Sequence, residues 1–239
     1  ASGIKVIDDT VRYAGHTFRF WNSRELPGPI RCGSFSQDSR KRWYVNFVVE
    51  APETEATAGT KQVGIDLGLK TLATCSDGRK IEAPRWYRNQ QRRIAEHQRK
   101  KRSRQARNLQ AKIANRRKDF LHKESDRLTK ECELIVVGDV CSSKLAKTNM
   151  AKSVNDSGWA MFKTLLSYKA IARKVVYREV SERLSTQTCS HCGAVGGPKG
   201  REGLGIREWV CGECGAGHDR DVNAALNILR MGHHTLALK

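Results

Sequence analysis

Four of the eight cysteines form two closely spaced pairs near the end of the chain. Two residues separate Cys189 from Cys192 and Cys211 from Cys214, and eighteen residues lie between the pairs. Because two thiolates on one tight turn can bind the same ion, this spacing predicts a closed four-thiolate Zn²⁺ site that organises the fold and performs no chemistry. Two histidines are alternative ligands, although four thiolates already complete the shell: His191 and His218.

Two aspartates occupy positions where an acid needs a partner. Asp66 lies within VGIDLG, a segment typical of a strand, and a buried carboxylate is costly without a cation or a metal ion. Asp221 lies at the start of a predicted terminal helix, DRDVNAALNILRMG, where the helix dipole stabilises negative charge. Each also has a purely structural interpretation, Asp66 as a turn-forming acid and Asp221 as a helix N-terminal charge.

The charge balance predicts the kind of partner. The 239 residues contain 44 Lys and Arg against 25 Asp and Glu, a formal net charge of +19. This surplus exceeds what solubility requires and favours a polyanionic partner. A membrane is excluded as that partner, because there is no run of about 18 apolar residues and no secretory pattern at the N-terminus. We therefore expect a cytoplasmic, nucleoid-associated protein that binds nucleic acid.

Most of the excess charge lies in one predicted helical hairpin, residues 86–130. From Arg85 to Lys130 there are 17 Lys and Arg but only four Asp and Glu. Such a surface neutralises phosphates without reading bases, and the alternative is ordinary solvated helix charge. The candidate nucleic-acid-binding residues are Arg92, Arg93, Arg99, Lys100, Lys101, Arg102, Arg104, Arg116, Arg117 and Lys118.

The pattern of predicted elements indicates an α/β protein with two domains. Residues 1–60 alternate in short runs typical of a small antiparallel β domain, and the polar segment 52–62 has the composition of a linker. Residues 61–239 then give a strand meander, the basic hairpin, the apolar strand ELIVVGDV, a helix beginning near Ser157, the strand KVVYREV and the terminal helix. This is the order of an RNase H-like mixed sheet with flanking helices, and the cysteines mark a zinc-ribbon insertion over residues 184–218.

Several long motifs resemble the TnpB (OrfB) family of transposon-encoded, RNA-guided nucleases, which are relatives of the type V CRISPR effectors. The motifs run in order along essentially the whole chain: GSFSQDSRKRWYVNF, VGIDLGLKTLATCSDG, KIANRRKDFLHKESDRL, LSTQTCSHCG, REWVCGECG and HDRDVNAALNIL. The resemblance implies a wedge-like β domain, a RuvC-like nuclease domain, Mg²⁺ as catalytic cofactor, and guide RNA and target DNA as partners. It assigns the roles of catalytic metal ligands to Asp66 and Asp221.

The third carboxylate of the family departs from the pattern here. The family has a Glu at the end of the strand that reads IVVGDV, and the matching position is Gly138. Asp139 is adjacent, but successive strand residues face opposite sides of a sheet. The better candidates lie at the end of the KVVYREV strand, which we expect to neighbour the central one: Glu182 first and Glu179 second.

We therefore expect an RNA-guided DNA endonuclease that hydrolyses phosphodiesters with two metal ions. The alternative is a nuclease-dead, repressor-like DNA-binding protein, which Gly138 supports, and a direct transposase ranks third. No helical recognition domain of the family kind precedes Ala1, which predicts a fragment or a minimal variant. The oligomeric state is open.

Overall fold

The computed structural model describes residues 3–50, 59–140, 147, 150–200 and 202–237. The chain divides into two compact units, one formed by Ala1–Thr54 with Arg92–Lys112 and the other by Glu55–Gln91 with Ile113–Lys239. The domain boundary at residues 60 and 61 stays a prediction. Most of the predicted linker lies outside the described residues, but its last two residues, Lys61 and Gln62, already belong to a strand.

The first 50 residues form two small antiparallel sheets, where the sequence predicted one antiparallel unit. The first sheet contains β1 (Lys5–Ile7), β2 (Thr10–Tyr13) and β3 (His16–Arg19), and the second contains β4 (Ile30–Gln37) and β5 (Trp43–Val49). Asp38 holds the β4–β5 turn because its carboxylate accepts the backbone N–H groups of Arg42 and Arg40. These hydrogen bonds, with the Arg40 guanidinium, lower the pKa of Asp38 to about 2 despite partial burial.

A mixed five-stranded sheet forms the centre of the second unit. Its strands are β6 (Lys61–Leu67), β7 (Thr71–Cys75), β8 (Lys80–Glu82), β9 (Cys132–Gly138) and β10 (Val176–Val180). They lie in the order β10-β9-β6-β7-β8, in which β6, β7 and β8 form an antiparallel meander, β9 is parallel to β6, and β10 is parallel to β9. The predicted α/β mixed sheet is therefore confirmed.

Strand β9 is buried on both faces, which explains its continuous apolar sequence. Ile135 and Val137 belong to the larger core cluster, whereas Leu134 and Val136 belong to a second cluster with Ile228. Buried helix residues complete the larger cluster: Leu121, Leu128, Phe162 and Leu166.

The helices are α1 (Trp86–Arg99), α2 (Ser103–Glu131), α3 (Ala151–Ser157), α4 (Trp159–Ala172) and α5 (Arg220–Ala237). The helix predicted from Ser157 begins two residues later, because Gly158 adopts a left-handed φ of 73° that separates α3 from α4. In the part of the chain that the structure describes, no helix combines the length and apolar character needed to cross a bilayer.

Helix α5 lies directly on the central sheet because Gly64 has no side chain. A Cβ atom at residue 64 would lie 2.1 Å from the carbonyl oxygen of Ala225 and 2.7 Å from the amide nitrogen of Leu229. Any larger residue would therefore push the helix off β6. This close approach brings the first turn of α5 near the end of the strand that carries Asp66.

Candidate functional site

The four paired cysteines converge at one point. Their sulfur atoms all lie within 4.8 Å of one another, and the Cys189–Cys214 and Cys192–Cys211 sulfur pairs are each 3.7 Å apart. Four sulfurs about 2.3 Å from one ion at tetrahedral corners would be separated by about 3.8 Å. The cluster is therefore compatible with a zinc ion.

Two turns of the same design present these sulfurs. Gly193 and Gly215 follow the second cysteine of each pair with left-handed φ values of 84° and 71°, and each donates its N–H to the first cysteine of its pair. The hairpin of β11 (Glu208–Val210) and β12 (Gly217–Asp219) carries the second turn. The repeated turn explains why the spacing alone predicted the cluster.

The surroundings of Cys189 favour its thiolate form. Burial raises the pKa of this thiol, but backbone N–H groups of Cys192 and His191 and the ring of His218 outweigh it and lower the pKa to about 5. His218 Nε2 lies 3.1 Å from the Cys189 sulfur, and its ring lies against Trp209 with centroids 4.7 Å apart. His218 is thus a neighbour of the four-cysteine group, and Trp209 packs against it within the ribbon.

Three separate carboxylates line one cavity of about 490 Å³ in the second unit. Asp66 projects from β6, Asp221 from the first turn of α5, and Glu182 from the segment just after β10. Leu69, Lys70, Thr74, Trp159, Arg207 and Arg220 also line this cavity, which we call the carboxylate cavity.

Glu182 lies beside the position that a side chain at residue 138 would occupy. A Cβ atom on Gly138 would lie 3.4 Å from the Glu182 carboxylate oxygen Oε2 and 3.4 Å from its Cβ. The strand register explains the position, because Val180 pairs with Gly138 and Glu182 follows two residues later. The Glu182 carboxylate therefore lies within van der Waals contact of the point where a side chain at residue 138 would begin.

The charges of the three acids interact. Burial is the main cause that raises the pKa of Asp66 to about 8, followed by the negative charges of Asp221 and Glu182, while Arg220 opposes the rise. Burial and then Asp139 raise the pKa of Glu182, against the influence of Lys163. At neutral pH and without a metal ion, Asp66 is therefore mainly protonated.

The two groups differ in how tightly they converge. Among the described residues, the four cysteines are the only group of three or more possible metal ligands whose ligand atoms all lie within 4.8 Å of one another. The three acids share the cavity but do not form such a group. Asp221 already has a cationic partner, because Arg207 Nη1 donates to its Oδ2 at 2.9 Å. No periodic pattern in the sequence indicates this ion pair between Arg207 and Asp221.

The two alternative acids do not line the carboxylate cavity. Glu179 is bound to the Lys163 ammonium at 2.6 Å and accepts the Tyr177 hydroxyl at 2.9 Å. Asp139 is exposed and acts on the site only through its charge near Glu182. Of the candidates considered from the sequence, the structure brings together Asp66, Asp221 and Glu182.

Two residues of the terminal-helix motif have a role that the sequence did not suggest. Asn223 and Asn227 are buried, and their amide groups both donate to the carbonyl oxygens of Ser185 and Thr188. Asn223 also accepts the N–H of Ser190. These bonds fix the segment between Glu182 and the first cysteine pair to α5, so they join the carboxylate cavity to the cysteine cluster.

The start of α5 is held by a second acid, Asp219. Its Oδ1 accepts the N–H groups of Asp221 and Val222, both at 3.0 Å, as an N-cap residue does. Lys80 on β8 donates to the other carboxylate oxygen at 2.6 Å. Although burial opposes it, this bond lowers the pKa of Asp219. Asp219 therefore positions Asp221 without lining the cavity.

Nine of the ten candidate nucleic-acid-binding residues are exposed, and Arg117 is the exception. Its guanidinium forms an ion pair with the buried carboxylate of Asp156 at 3.1 Å and lies 6.0 Å from the ring centroid of Trp86. A cation bound in this way is less available to phosphates. The geometry therefore favours a positioning role for Arg117, distinct from that of the exposed nine.

Comparison with known proteins places two family models in sequence along the chain. The model OrfB_IS605, described as "Probable transposase", matches residues 46–149, and the model "Cas12f1-like, TNB domain" matches residues 159–228. The second match contains the four cysteines and both Glu182 and Asp221.

Individual relatives agree with these models. A Streptomyces pristinaespiralis protein named "Putative RNA-guided DNA endonuclease" is 39% identical over 82% of this chain and 52% of its own length. The Escherichia coli "Putative RNA-guided DNA endonuclease InsQ" is 29% identical over 92% of this chain and 61% of its own. The chain thus spans between half and two thirds of these curated relatives.

The fold also resembles a solved structure. The Cas12f1 chain in a complex with single guide RNA and target DNA superposes with a TM-score of 0.54 over 80% of this chain and 54% of its own, at 17% identity. This likeness concerns the fold alone. The two family models and the curated relatives show that the chain is a homologue of the TnpB/OrfB proteins, with a match to the OrfB_IS605 model followed by a match to the Cas12f1-like TNB domain.

Proposed function

We propose that this chain is the nuclease-bearing region of an RNA-guided DNA endonuclease of the TnpB type. In this proposal the mixed sheet and its helices are a RuvC-like, RNase H-like domain, the cysteine hairpin is its zinc ribbon, and the N-terminal sheets are a wedge-like domain. The relatives' names support the activity. The observation that carries the proposal is the position of Glu182 over Gly138, in the same cavity as Asp66 and Asp221.

Glu182 provides the cavity with a third acid although residue 138 is a glycine. A lost Glu at residue 138 would leave a gap beside Asp66, whereas the Glu182 carboxylate lies within van der Waals distance of that position. In this proposal the third acid comes from just beyond the end of the parallel strand β10, which neighbours β9, and not from the end of β9 itself. A third carboxylate therefore faces the cavity, although it comes from a different strand.

The donor set suits a hard divalent cation such as Mg²⁺. Oxygen ligands from Asp66, Glu182 and Asp221 are those that Mg²⁺ prefers, and their mutual repulsion would be relieved by positive charge between them. When bound, such ions generate a hydroxide nucleophile and stabilise the leaving oxygen of a phosphodiester. The ligand atoms of the three acids line one cavity but do not all lie within 4.8 Å of one another, which fits a pair of ions about 4 Å apart better than a single ion.

The neighbouring residues keep the acids in place. Arg207 neutralises Asp221, Asp219 caps the helix that presents Asp221, and Asn223 fixes the segment that follows Glu182. In this proposal Cys189, Cys192, Cys211 and Cys214 hold zinc as a structural ion. The ribbon would thus contribute to cleavage by positioning Arg207 and the start of α5.

Guide RNA and target DNA are the proposed partners. The net charge of +19 and the nine exposed Lys and Arg of α1, α2 and their connection supply the positive surface that phosphates require. Contacts of this kind recognise the backbone of a guide–target heteroduplex and leave sequence recognition to base pairing.

The test is cleavage of matched DNA by the RNA-bound protein carrying Glu182→Gln or Asp66→Asn. Because changes to groups that merely orient metal ligands cost about 10–100-fold, loss of a ligand should reduce the rate by more than about 100-fold. Glu179→Gln is the matched control, since it removes an acid of the same strand end that does not line the cavity. Full activity in Glu182→Gln would remove this residue from the site.

A double variant sharpens the test. Moving the acid back with Gly138→Glu and Glu182→Ala should recover cleavage relative to Glu182→Ala alone, because φ at residue 138 is not left-handed and the vacated space lies beside it. The fold is checked by thermal unfolding, since a Cβ at residue 138 would lie 3.1 Å from Ile228 Cδ1. If the unaltered complex binds matched DNA but never cuts it, the second candidate, a nuclease-dead binder, replaces the first.

A further inference from the structure

A second cavity lies next to the carboxylate cavity and has no part in the proposed cleavage chemistry. It has a volume of about 250 Å³, below the roughly 300–1,000 Å³ of pockets for drug-sized ligands, so it can hold one ring-sized group. Its lining includes Leu69 and Lys70, which also line the carboxylate cavity. The two cavities therefore share a wall, the β6–β7 connection.

The cavity combines an apolar floor with a cationic rim. Leu69, Leu72, Ala83 and the indole of Trp86 form the floor, and Lys70, Arg85 and Arg88 provide three positive charges around it. Lys70, Arg85 and Arg88 are exposed, and within the described ranges none of them forms an ion pair with a carboxylate. Arg88 donates instead to the neutral hydroxyl of Ser153. These charges therefore remain available to an anion.

The single acid of the lining is already satisfied. Asp156 is 5% exposed and accepts the N–H groups of Tyr87 and Arg88 at the start of α1 as well as the Arg117 guanidinium. Its charge is neutralised by these donors, and it occupies the amides that would otherwise attract an anion to the helix end. The side chains of the rim, and not the helix terminus, therefore define what this cavity binds.

We propose that this cavity binds one unpaired nucleotide of the DNA strand that enters the carboxylate cavity, an inference that rests on the proposed nuclease function. A nucleotide joins an anionic phosphate to a flat, weakly polar base, which matches the cationic rim and the aromatic floor. Asp66 and Lys70 are four residues apart, so their Cα atoms are at most about 14 Å from each other. A strand held at both places would pass from one cavity to the other within a few nucleotides.

The direct test is photo-cross-linking of the full chain with an oligothymidine octamer that contains 4-thiothymidine, in buffer without added divalent metal. Mass spectrometry should locate the cross-link in the peptide that contains Trp86 or in the β6–β7 connection. Cross-links confined to other parts of the chain would refute the assignment. An octamer of abasic sugar-phosphate competes for the rim but not for the floor, so when it is added before irradiation it should reduce the cross-link yield only weakly.

Two variants test the cavity without changing Trp86, so the packing around this half-buried side chain is kept. Lys70→Ala removes an exposed charge, and Arg85→Asn removes a second one while keeping a residue that tolerates the left-handed φ of 49°. Each phosphate contact of a single strand contributes about 0.7 to the slope of log K against log salt concentration, so the double variant should lower the cross-link yield and reduce that slope by about 1.4. Lys152→Ala is the matched control, because Lys152 is exposed on α3 but does not line the cavity.

The outcomes separate this inference from the proposed function. The cross-link needs no cleavage, so a positive result in a chain that never cuts DNA would support the nucleotide site and remove only the nuclease proposal. Normal cleavage by the Lys70→Ala and Arg85→Asn double variant, together with an unchanged cross-link, would overturn the site and leave the nuclease proposal intact. A higher yield with 4-thiouridine RNA than with DNA would overturn the assignment to the DNA strand.

Discussion

The cysteine cluster and the carboxylate cavity are joined by the segment between Glu182 and Cys189, but they are assembled differently. The cluster takes its four sulfurs from two copies of one turn, within 26 consecutive residues. The cavity takes its acids from β6, from the segment after β10 and from α5, which are up to 155 positions apart. The cluster has converged within 4.8 Å, whereas the three acids have not.

This difference is the one expected between a structural and a catalytic metal site. A structural site is complete in itself, since its ligands fill the coordination shell and exclude water. A catalytic site keeps open positions and like charges that a bound ion must balance, and the pKa of Asp66 is raised first by burial and then by the charges of Asp221 and Glu182. The asparagines of α5 connect the two, because they bind the segment that leads from Glu182 to Cys189.

Removing one sulfur from the cluster should have the largest effect. Zinc contributes about 10–16 kcal/mol to the folding of small zinc-finger peptides, so Cys211→Ser, at a cysteine that is 2% exposed, should lose the ion and unfold the ribbon. Zinc content per chain and the thermal unfolding profile measure this. Cys32→Ser is the control, because this exposed cysteine lies outside the cluster. An unchanged zinc content in Cys211→Ser would contradict the four-thiolate site.

A substitution at the junction of the two regions should act on the cavity alone. Arg207→Ala removes the cation bound to Asp221, so Mn²⁺, as a substitute for Mg²⁺, should bind more tightly in the absence of nucleic acid. The Arg207 side chain is 43% exposed, which limits the gain to about fivefold, since exposed ion pairs contribute about 0–1 kcal/mol. Titration with Mn²⁺ followed by electron paramagnetic resonance measures the affinity.

Zinc content and a neighbouring charge provide the controls for this substitution. Lys199→Ala removes an exposed cation of the same ribbon that does not line the cavity, so its Mn²⁺ affinity should equal that of the unaltered chain. Both variants should retain their zinc. Weaker Mn²⁺ binding in Arg207→Ala would mean that the arginine organises the carboxylates more than it competes with the ion.

The two regions also differ in how far the sequence could predict them. The cysteine spacing determines a local geometry, so the cluster was predictable to the residue. The central strands and the main helices followed from apolar patterns, as for Ile135 and Val137 in a strand buried on both faces. The division of the first 50 residues into two sheets was not predictable, because alternating short strands do not reveal which partner each one pairs with.

The third acid shows where the sequence alone is insufficient. Glu179, Glu182 and Asp139 all lay near the expected strand ends, and only the pairing of Val180 with Gly138 distinguishes them. The ion pair of Arg207 with Asp221 and the amide contacts of Asn223 are long-range contacts between segments with no periodic signal. Such contacts depend on the packing of α5 against Gly64, which becomes apparent only from the assembled fold.

A pH dependence of thermal stability should arise from Asp66 in the carboxylate cavity. In the folded chain without a divalent ion, the pKa of Asp66 is about 8 and that of a free aspartate is 3.8. Between these values the folded chain binds more protons than the unfolded chain, so this group's contribution to stability is greatest below pH 4 and is lost as the pH rises towards 8. Asp66→Asn should therefore unfold at a higher temperature than the unaltered chain at pH 8, and the difference should diminish towards pH 5.

Thermal unfolding in buffer without added Mg²⁺ measures this difference, at about 2–4 °C for each kcal/mol gained. Adding Mg²⁺ at pH 8 should reverse the ranking, because the ion stabilises only the chain that keeps the Asp66 carboxylate. Glu179→Gln is again the control, since it removes an acid whose charge is balanced by Lys163 outside the cavity. A pH profile that is the same in Asp66→Asn and in the unaltered chain would show that burial and the neighbouring acids do not raise the pKa of Asp66, and the contrast with the closed cysteine cluster would lose its electrostatic basis.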